Sequence, residues 1–310
     1  YPDEVRDFVI GALRSLAGDK PSLRILDEGA GADFWILTKV KEEFPGAKIY
    51  ASDIIDKKEI RCREEGISYC RSSANNPGFR TGAIDAFIST FTTDYFPNRE
   101  GAIQQQARIL TDSGILISVL HHPRSDTVGR IRIYSIALYK QIEFLRDLKR
   151  YVEAANFGAI NRMRERVLFS LNAPGVVPDR EIKTDELSMC SQALRIQLEP
   201  SLRAKIIKDI DDKLAELQEA YTLYGQLLRN IFADCPQVEE FFAHNGFEAC
   251  ADIIFGKDAS IIGYGLTAKK MTSPIHPRQR PIRKEKGSPL IILAVVISVL
   301  IILIFLGVYL

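Results

Sequence analysis

The sequence predicts an α/β fold: a doubly wound, mostly parallel seven-stranded sheet with a large helical insertion after strand five and a C-terminal transmembrane helix. Three observations carry this. Residues 24–54, RILDEGAGADFWILTKVKEEFPGAKIYASDI, read as strand, glycine turn, helix, strand. Short apolar runs alternate with helical stretches as far as residue 122, and the same alternation resumes after residue 235. The last 21 residues, 290–310, carry no charge.

Taken in order, residues 3–17 put Val5, Phe8, Val9, Ala12, Leu13 and Leu16 on one face of an amphipathic helix. Leu23, Ile25 and Leu26 form an apolar run suited to a buried parallel strand. Phe34, Leu37, Val40 and Phe44 have helical spacing, and Pro45-Gly46 stops that helix. Residues 47–52 give the second strand, 57–65 a short helix, and 67–71 the third strand, followed by the polar loop SSANNPG. Residues 83–90 (AIDAFIST) form strand four, 99–110 a helix, Thr111-Asp112-Ser113-Gly114 a turn, and 115–120 strand five.

The glycine turn carries the functional reading. Glycines let a chain pass beneath a ligand, and the helix start that follows offers backbone N–H groups. An acid about 20 residues later can take the hydroxyls of a ribose. Asp53 follows Gly31 by 22 residues. A dinucleotide fingerprint needs glycine at position 34, where this chain has Phe. ILDEGAGAD, with its acid Asp27 before Gly29-x-Gly31, resembles instead the first motif of the class I S-adenosylmethionine-dependent methyltransferases. AIDAFIST resembles their fourth motif, and ARILTDSGILISV their approach to strand five. FFAHNGFEACADIIFG with SIIGYGLTAKK resembles their closing helix, strand and hairpin strand.

The resemblance implies S-adenosylmethionine as cofactor, with Asp27, Gly29, Ala30 and Gly31 beneath its methionine part. It implies Asp53 on the ribose and Ile54 beside the adenine. Ser73, with Ser72 before it, stands where the family often keeps an acid against the adenine amino group. Asp94 and Tyr95, after strand four, fall where family members contact substrate. His121 and His122 follow strand five, where a histidine can take a proton from a hydroxyl or amine near neutral pH. Two departures from the family pattern are Glu28 and Asp33, acids in or beside the turn. They keep a second reading open: a catalytically degenerate methyltransferase-fold scaffold that binds a partner through its helical insertion. A nicotinamide-dependent oxidoreductase is disfavoured by Phe34 and by the closing strand pair.

The chain accordingly divides into residues 1–122 as the first part of the core, 123–235 as the insertion and 236–270 as the last helix and strands. Helices are expected over 129–155, 160–171 and 200–233. In the last, Ile210, Leu214, Leu217, Tyr221, Tyr224, Leu228 and Ile231 alternate at spacings of four and three. Such a seam fits either a helical hairpin packed on its neighbour or a homo- or hetero-oligomer contact. Residues 271–289 form a basic, proline-rich linker, and 290–310 are long enough to span a bilayer. Bases on one flank only place the folded domain on the cytosolic side, as a single-pass tail-anchored membrane protein. A membrane anchor favours a small-molecule or lipid-like methyl acceptor.

Composition is that of an ordinary folded chain, 46% hydrophobic and 26% charged. With 41 basic and 40 acidic residues, no global field argues for nucleic acid. The five cysteines show no C-x-x-C pair or zinc spacing, so no metal is expected and the thiols read as reduced. The chain begins at Tyr1 without a secretory signal.

Overall fold

The computed structural model describes residues 2–17, 22–31, 34–54, 66–172 and 180–271. Its centre is a seven-stranded sheet. The strands are β1 (Arg24–Glu28), β2 (Lys48–Asp53), β3 (Ser68–Arg71), β4 (Ile84–Thr90), β5 (Leu110–His121), β6 (Phe247–Phe255) and β7 (Ile261–Lys270). Their order is β3-β2-β1-β4-β5-β7-β6, with β7 antiparallel to both neighbours and the other pairings parallel. The chain therefore reverses direction across the sheet between β1 and β4, and such a switch point opens a crevice at the carboxyl ends of the strands.

Helices cover both faces because the central strands are apolar on both. On β1, Ile25 belongs to one core and Leu26 to the other; on β4, Ile88 and Phe87 divide in the same way. The first core is closed by α1 (Asp3–Ala17) through Val5, Val9 and Leu13, and by α2 (Trp35–Glu43) through Ile36, Leu37 and Val40. The second is closed by α3 (Arg99–Ile109) and α8 (Cys235–His244), which bury Ile103, Val238 and Phe242. At the far edge of the sheet, Arg24 grips Asp85 with both ends of its guanidinium, at 2.9 and 3.0 Å, and with its own backbone N–H at 3.1 Å. That fork ties β1 to β4 at the end opposite the crevice.

Between β5 and α8 lies the insertion: α4 (Asp126–Glu153), α5 (Phe157–Asn172), α6 (Arg180–Leu194) and α7 (Arg203–Asn230). It has its own core, in which Leu138, Ile142 and Leu145 of α4 meet Ile206, Ile210 and Leu217 of α7. The seam on α7 is therefore covered within the chain, and Tyr134 meets Tyr224, and Tyr139 meets Tyr221, across the same pair of helices. Residues Tyr1–Thr272 make one compact unit, so the insertion belongs to the sheet domain.

Several expectations need correction. The turn expected at Thr111–Gly114 lies inside β5: Ile84 pairs with Leu110 and Ala86 with Ile115, so the extra residues form a bulge in a continuous strand. Helix α4 begins at Asp126 rather than 129, because Ser125 caps it by accepting from the Val128 N–H, a signal that apolar spacing does not carry. A fourth helix, α6, was not expected. Its buried positions are Glu186, Cys190 and Ala193, too small and polar to make an apolar stripe. The expected helix over 57–65, the linker from 272 onward and the span at 290–310 lie outside the described residues. Among the described residues, no helix is long and apolar enough to cross a membrane.

Removing one side of the Arg24–Asp85 fork tests how far the sheet depends on it. Asp85→Ala is expected to lower unfolding stability by about 1.5–3 kcal/mol, the range for hydrogen bonds to charged groups, read from the shift of the urea midpoint at unchanged slope.

Candidate active site

The crevice is built where β1 ends. Gly29 adopts φ 72° and its N–H donates to the Ser52 carbonyl at 2.7 Å; the Ala30 N–H donates to the same oxygen at 3.2 Å. A side chain at Gly29 would collide with Thr92, since a Cβ there would lie 2.1 Å from its Cγ2. Glycine is thus what allows the loop after β4 to rest against the turn, and the Thr92 hydroxyl donates to the Gly29 carbonyl at 3.3 Å. Gly31, at φ 67°, is the opposite case, because among the described residues nothing lies within 4 Å of where its Cβ would be. Its N–H is held by Asp53 Oδ2 at 2.9 Å. One glycine faces protein and the other faces open space.

Phe34 follows, in the left-handed region at φ 44°, as the N-cap of α2. A non-glycine residue there costs about 1 kcal/mol. Complete burial of its ring in the first core, 6.2 Å from Tyr69, offsets that cost. The position where a dinucleotide fingerprint has glycine is here a core anchor.

Charge in the crevice is one-sided. Asp27 is buried, and among the described residues neither carboxylate oxygen has a hydrogen-bond partner. Burial, then the nearby Asp53 and Glu28 carboxylates, hold its carboxyl well above the usual range. Strand alternation sends Asp27 to the face of Ile25 and Glu28 to the face of Leu26. Glu28 accordingly reaches α3 on that second face, where Oε2 accepts from Gln106 Nε2 at 2.9 Å. The sequence reading of Glu28 as an extra acid in the ligand turn is thereby corrected: its carboxylate lies under the sheet. Burial pushes it up to about 7 against the pull of Gln106. Asp33 lies outside the described residues.

A second constellation stands beside the first. Asp94, fully buried on the loop after β4, uses Oδ2 twice: it accepts the His121 backbone N–H at 2.8 Å and His121 Nδ1 at 2.9 Å. Its Oδ1 has no partner. A carboxylate can only accept, so Nδ1 is the donor in this contact, and in the neutral ring Nε2 is the nitrogen that has the lone pair. The ring of His121 is steadied by Phe91 at 4.9 Å and, edge-on, by Tyr95 at 5.8 Å. The loop is latched from the insertion. Asn230 at the end of α7 donates to the carbonyl oxygens of Asp94 and Phe96, and Gln226 to that of Tyr95. Arg99 in turn bonds the Asn230 carbonyl and lies over the rings of Phe232 and Phe241. No pattern in the sequence announces Asn230, Gln226 or Gln106, because each matters only through an element far away in the chain.

The predicted site residues thus divide. Asp27, Gly29, Ala30, Gly31 and Asp53 come together at the ends of β1 and β2, and Ile54, 71% exposed, presents an apolar face directly after Asp53. Ser73 turns away: its hydroxyl accepts the Asn75 N–H within a local turn. Ser72 is nearer, its N–H on the Asp53 carbonyl at 3.0 Å and its Oγ buried without a partner. Asp94 is placed beneath His121 rather than in the open crevice. His122 is a loop fixture: Nδ1 accepts the Arg124 N–H at 3.0 Å, the ring lies 4.7 Å from that of Tyr264, and burial followed by Arg124 lowers its pKa. Tyr95 is half-buried against His121.

The buried acids make stability depend on pH. Glu28 titrates near 7 in the fold against an ordinary 4.5, so the folded state holds the extra proton between those values. Its contribution is present in full below about 4.5 and lost as pH rises through 7. Asp27 acts in the same direction. Glu28→Gln is expected to leave the melting temperature at pH 5 nearly unchanged and to stabilise the ligand-free protein at pH 8 by on the order of 3 kcal/mol. Thermal melts across that range check it.

Comparison with known proteins follows the same geometry. Residues 26–118 match the methyltransferase-domain family. No curated protein matches the chain. Among solved structures, the chain is similar to an S-adenosylmethionine-dependent methyltransferase from Mesorhizobium loti (23% identity, 37% of this chain and 54% of that one, TM-score 0.32). It is also similar to one from Aquifex aeolicus (18%, 39% and 69%, TM-score 0.33). A third, from Thermotoga maritima, is described as a possible histamine N-methyltransferase (13%, 86% and 90%, TM-score 0.41). The chain spans about half the length of the M. loti protein. The family match falls on the half of the sheet that holds the glycine turn, and over residues 26–118 the chain is similar to a methyltransferase domain.

Proposed function

We propose that the chain transfers a methyl group to a small-molecule or lipid-like acceptor bearing a hydroxyl or amine, with His121 receiving the acceptor's proton. The observation that carries this reading is the double grip of Asp94 Oδ2 on His121, which fixes one tautomer and leaves Nε2 as the basic nitrogen. When bound, S-adenosylmethionine supplies a methyl group activated by its sulfonium. The residues present fit that cofactor. Asp27, a buried carboxylate with two unpartnered oxygens, suits an ammonium group. The open side of Gly31 leaves room for the methionine part, Asp53 stands at the place for the ribose, and Ile54 offers an apolar face to the adenine.

The chain's own work is to orient and to hold charge. S-adenosylmethionine held by Asp27, Gly31 and Asp53 would supply the methyl group and leave as the neutral thioether, and His121 Nε2 would take the proton that the acceptor's oxygen or nitrogen gives up. Asp94, which touches neither partner, is a positioning residue that stabilises the imidazolium then formed. The lengthy insertion bears on the reaction through Asn230, whose amide holds the Asp94 carbonyl.

The same proposal places this chemistry at the cytosolic face of a membrane. Its support is in the sequence: 21 uncharged residues at 290–310 preceded by Arg278, Arg280, Arg283, Lys284 and Lys286. A tether of that kind raises the local concentration of membrane-resident acceptors.

Two measurements test the reading. Titration calorimetry of S-adenosylmethionine should show micromolar binding that Asp27→Asn weakens by about tenfold or more, whereas His121→Gln leaves it intact. Incubating the full chain and membrane extract with methyl-labelled cofactor should yield a labelled product, and with that acceptor His121→Gln is expected to lower kcat by about 10²–10⁴. Asp94→Asn should lower kcat less and shift the pH profile. Full activity in His121→Gln would sink the proton-acceptor role.

A further inference from the structure

Helix α4 carries two apolar stripes, and only one is used. Leu138, Ile142 and Leu145 enter the insertion core. Ile133 and Ile136, spaced by three, lie on the other side at 65 and 59% exposure, with the half-exposed Tyr139 at the border where it meets Tyr221 of α7. Arg132 and Lys140 share their face by the same helical spacing, and Arg124 and Arg130 flank it. Between residues 124 and 142 the only acid is Asp126. Further along the helix pair of α4 and α7, several cations meet acids: Arg146 meets Glu143, Lys149 meets Asp211, and Lys213 meets Glu216. Among the described residues Arg124, Arg130, Arg132 and Lys140 have no such side-chain partner. An open depression of about 470 Å³ lies at the start of this stretch, where Arg124, Arg130 and Arg132 outnumber the single acid of its lining, Asp126. It begins two residues beyond His121.

We propose that the first four turns of α4 are the surface by which the domain docks on an anionic bilayer. Ile133 and Ile136 enter the boundary between headgroups and acyl chains. Arg124, Arg130, Arg132 and Lys140 lie on lipid phosphates, with the depression holding a headgroup. Aliphatic side chains interleaved with unpaired cations suit this occupant better than a protein partner, whose interface core is depleted of charge. The inference rests on the membrane reading above and adds an orientation to it. Eighteen residues separate Met271 from the 290–310 segment, so a bilayer holding that segment lies within about 60 Å of the domain. Docking through α4 brings the chain just past His121 to the surface, where a lipid-like acceptor arrives.

The test uses the chain ended after Thr272, which retains all seven strands and the compact unit, and removes the linker bases and the uncharged tail. Phosphatidylcholine vesicles with about one-third phosphatidylserine should bind it at least about tenfold more tightly than phosphatidylcholine alone. Ile133→Glu with Ile136→Glu, and separately Arg130→Glu with Arg132→Glu, should each reduce that binding about tenfold or more. All four positions are exposed, so melting temperatures should not move. Absence of binding to the anionic vesicles, equal binding to neutral ones, or wild-type binding by both double variants overturns the proposal. So does a dimer in sedimentation equilibrium that Ile136→Glu dissolves, which would assign the face to a second copy. Carbonate-resistant membrane association of the full chain carrying all four substitutions reads the tail alone. Its failure would remove the anchor and leave the vesicle result on α4 standing.

Discussion

The contact between Gly29 and Thr92 is the constraint on which the rest of the site depends. Two strands that neighbour each other at the switch point of the sheet send their loops into the same crevice, and only a residue without a Cβ lets them close to contact. Once Thr92 rests there, Thr93 and Asp94 are drawn down behind β4, with the Thr93 hydroxyl 3.0 Å from Ser89 Oγ. Asp94 then lies under the end of β5, where it meets both the backbone and the ring of His121. The cofactor turn and the histidine are thus joined by one short loop.

That loop is also where the insertion acts on the sheet. The end of α7 delivers Gln226 and Asn230 to the carbonyl oxygens of residues 94–96, and Arg99 returns from α3 to the Asn230 carbonyl. Four helices with their own core therefore bear on the crevice through a few amide hydrogen bonds. Shifts in the insertion, including any imposed by contact of α4 with a surface, have a direct path to His121.

The crevice stores unfavourable charge. Asp27 is buried without a partner, and Glu28 is satisfied only on one oxygen, so both are held toward the neutral form in the absence of a cation. A ligand bringing positive charge to Asp27 removes part of that penalty, which makes binding and stability two readings of the same carboxylate. The exposed stripe on α4 is the counterpart outside: apolar and cationic groups kept in water where a packed helix would have acids or a neighbour.

Sequence alone determined the sheet, because strand period, glycine turn and helix stops are local signals written within a few residues of each element. All seven strands were legible, as was the turn that gathers Asp27, Gly29, Gly31 and Asp53 at the ends of β1 and β2, since such a turn fixes its residues by spacing. Signals that depend on caps or bulges were read less well, as at Ser125 and residues 111–114, and α6 was missed because Glu186, Cys190 and Ala193 make no stripe. What the tertiary structure decided was partnership. Nothing near Asp94 in the chain says that it will hold a histidine 27 residues away, nothing near Glu28 points to Gln106, and nothing near Asn230 shows that it latches a loop more than 130 residues earlier. Those pairings arise only when the sheet brings distant strand ends to one edge, and hydrogen bonds between such groups follow that geometry rather than any local pattern.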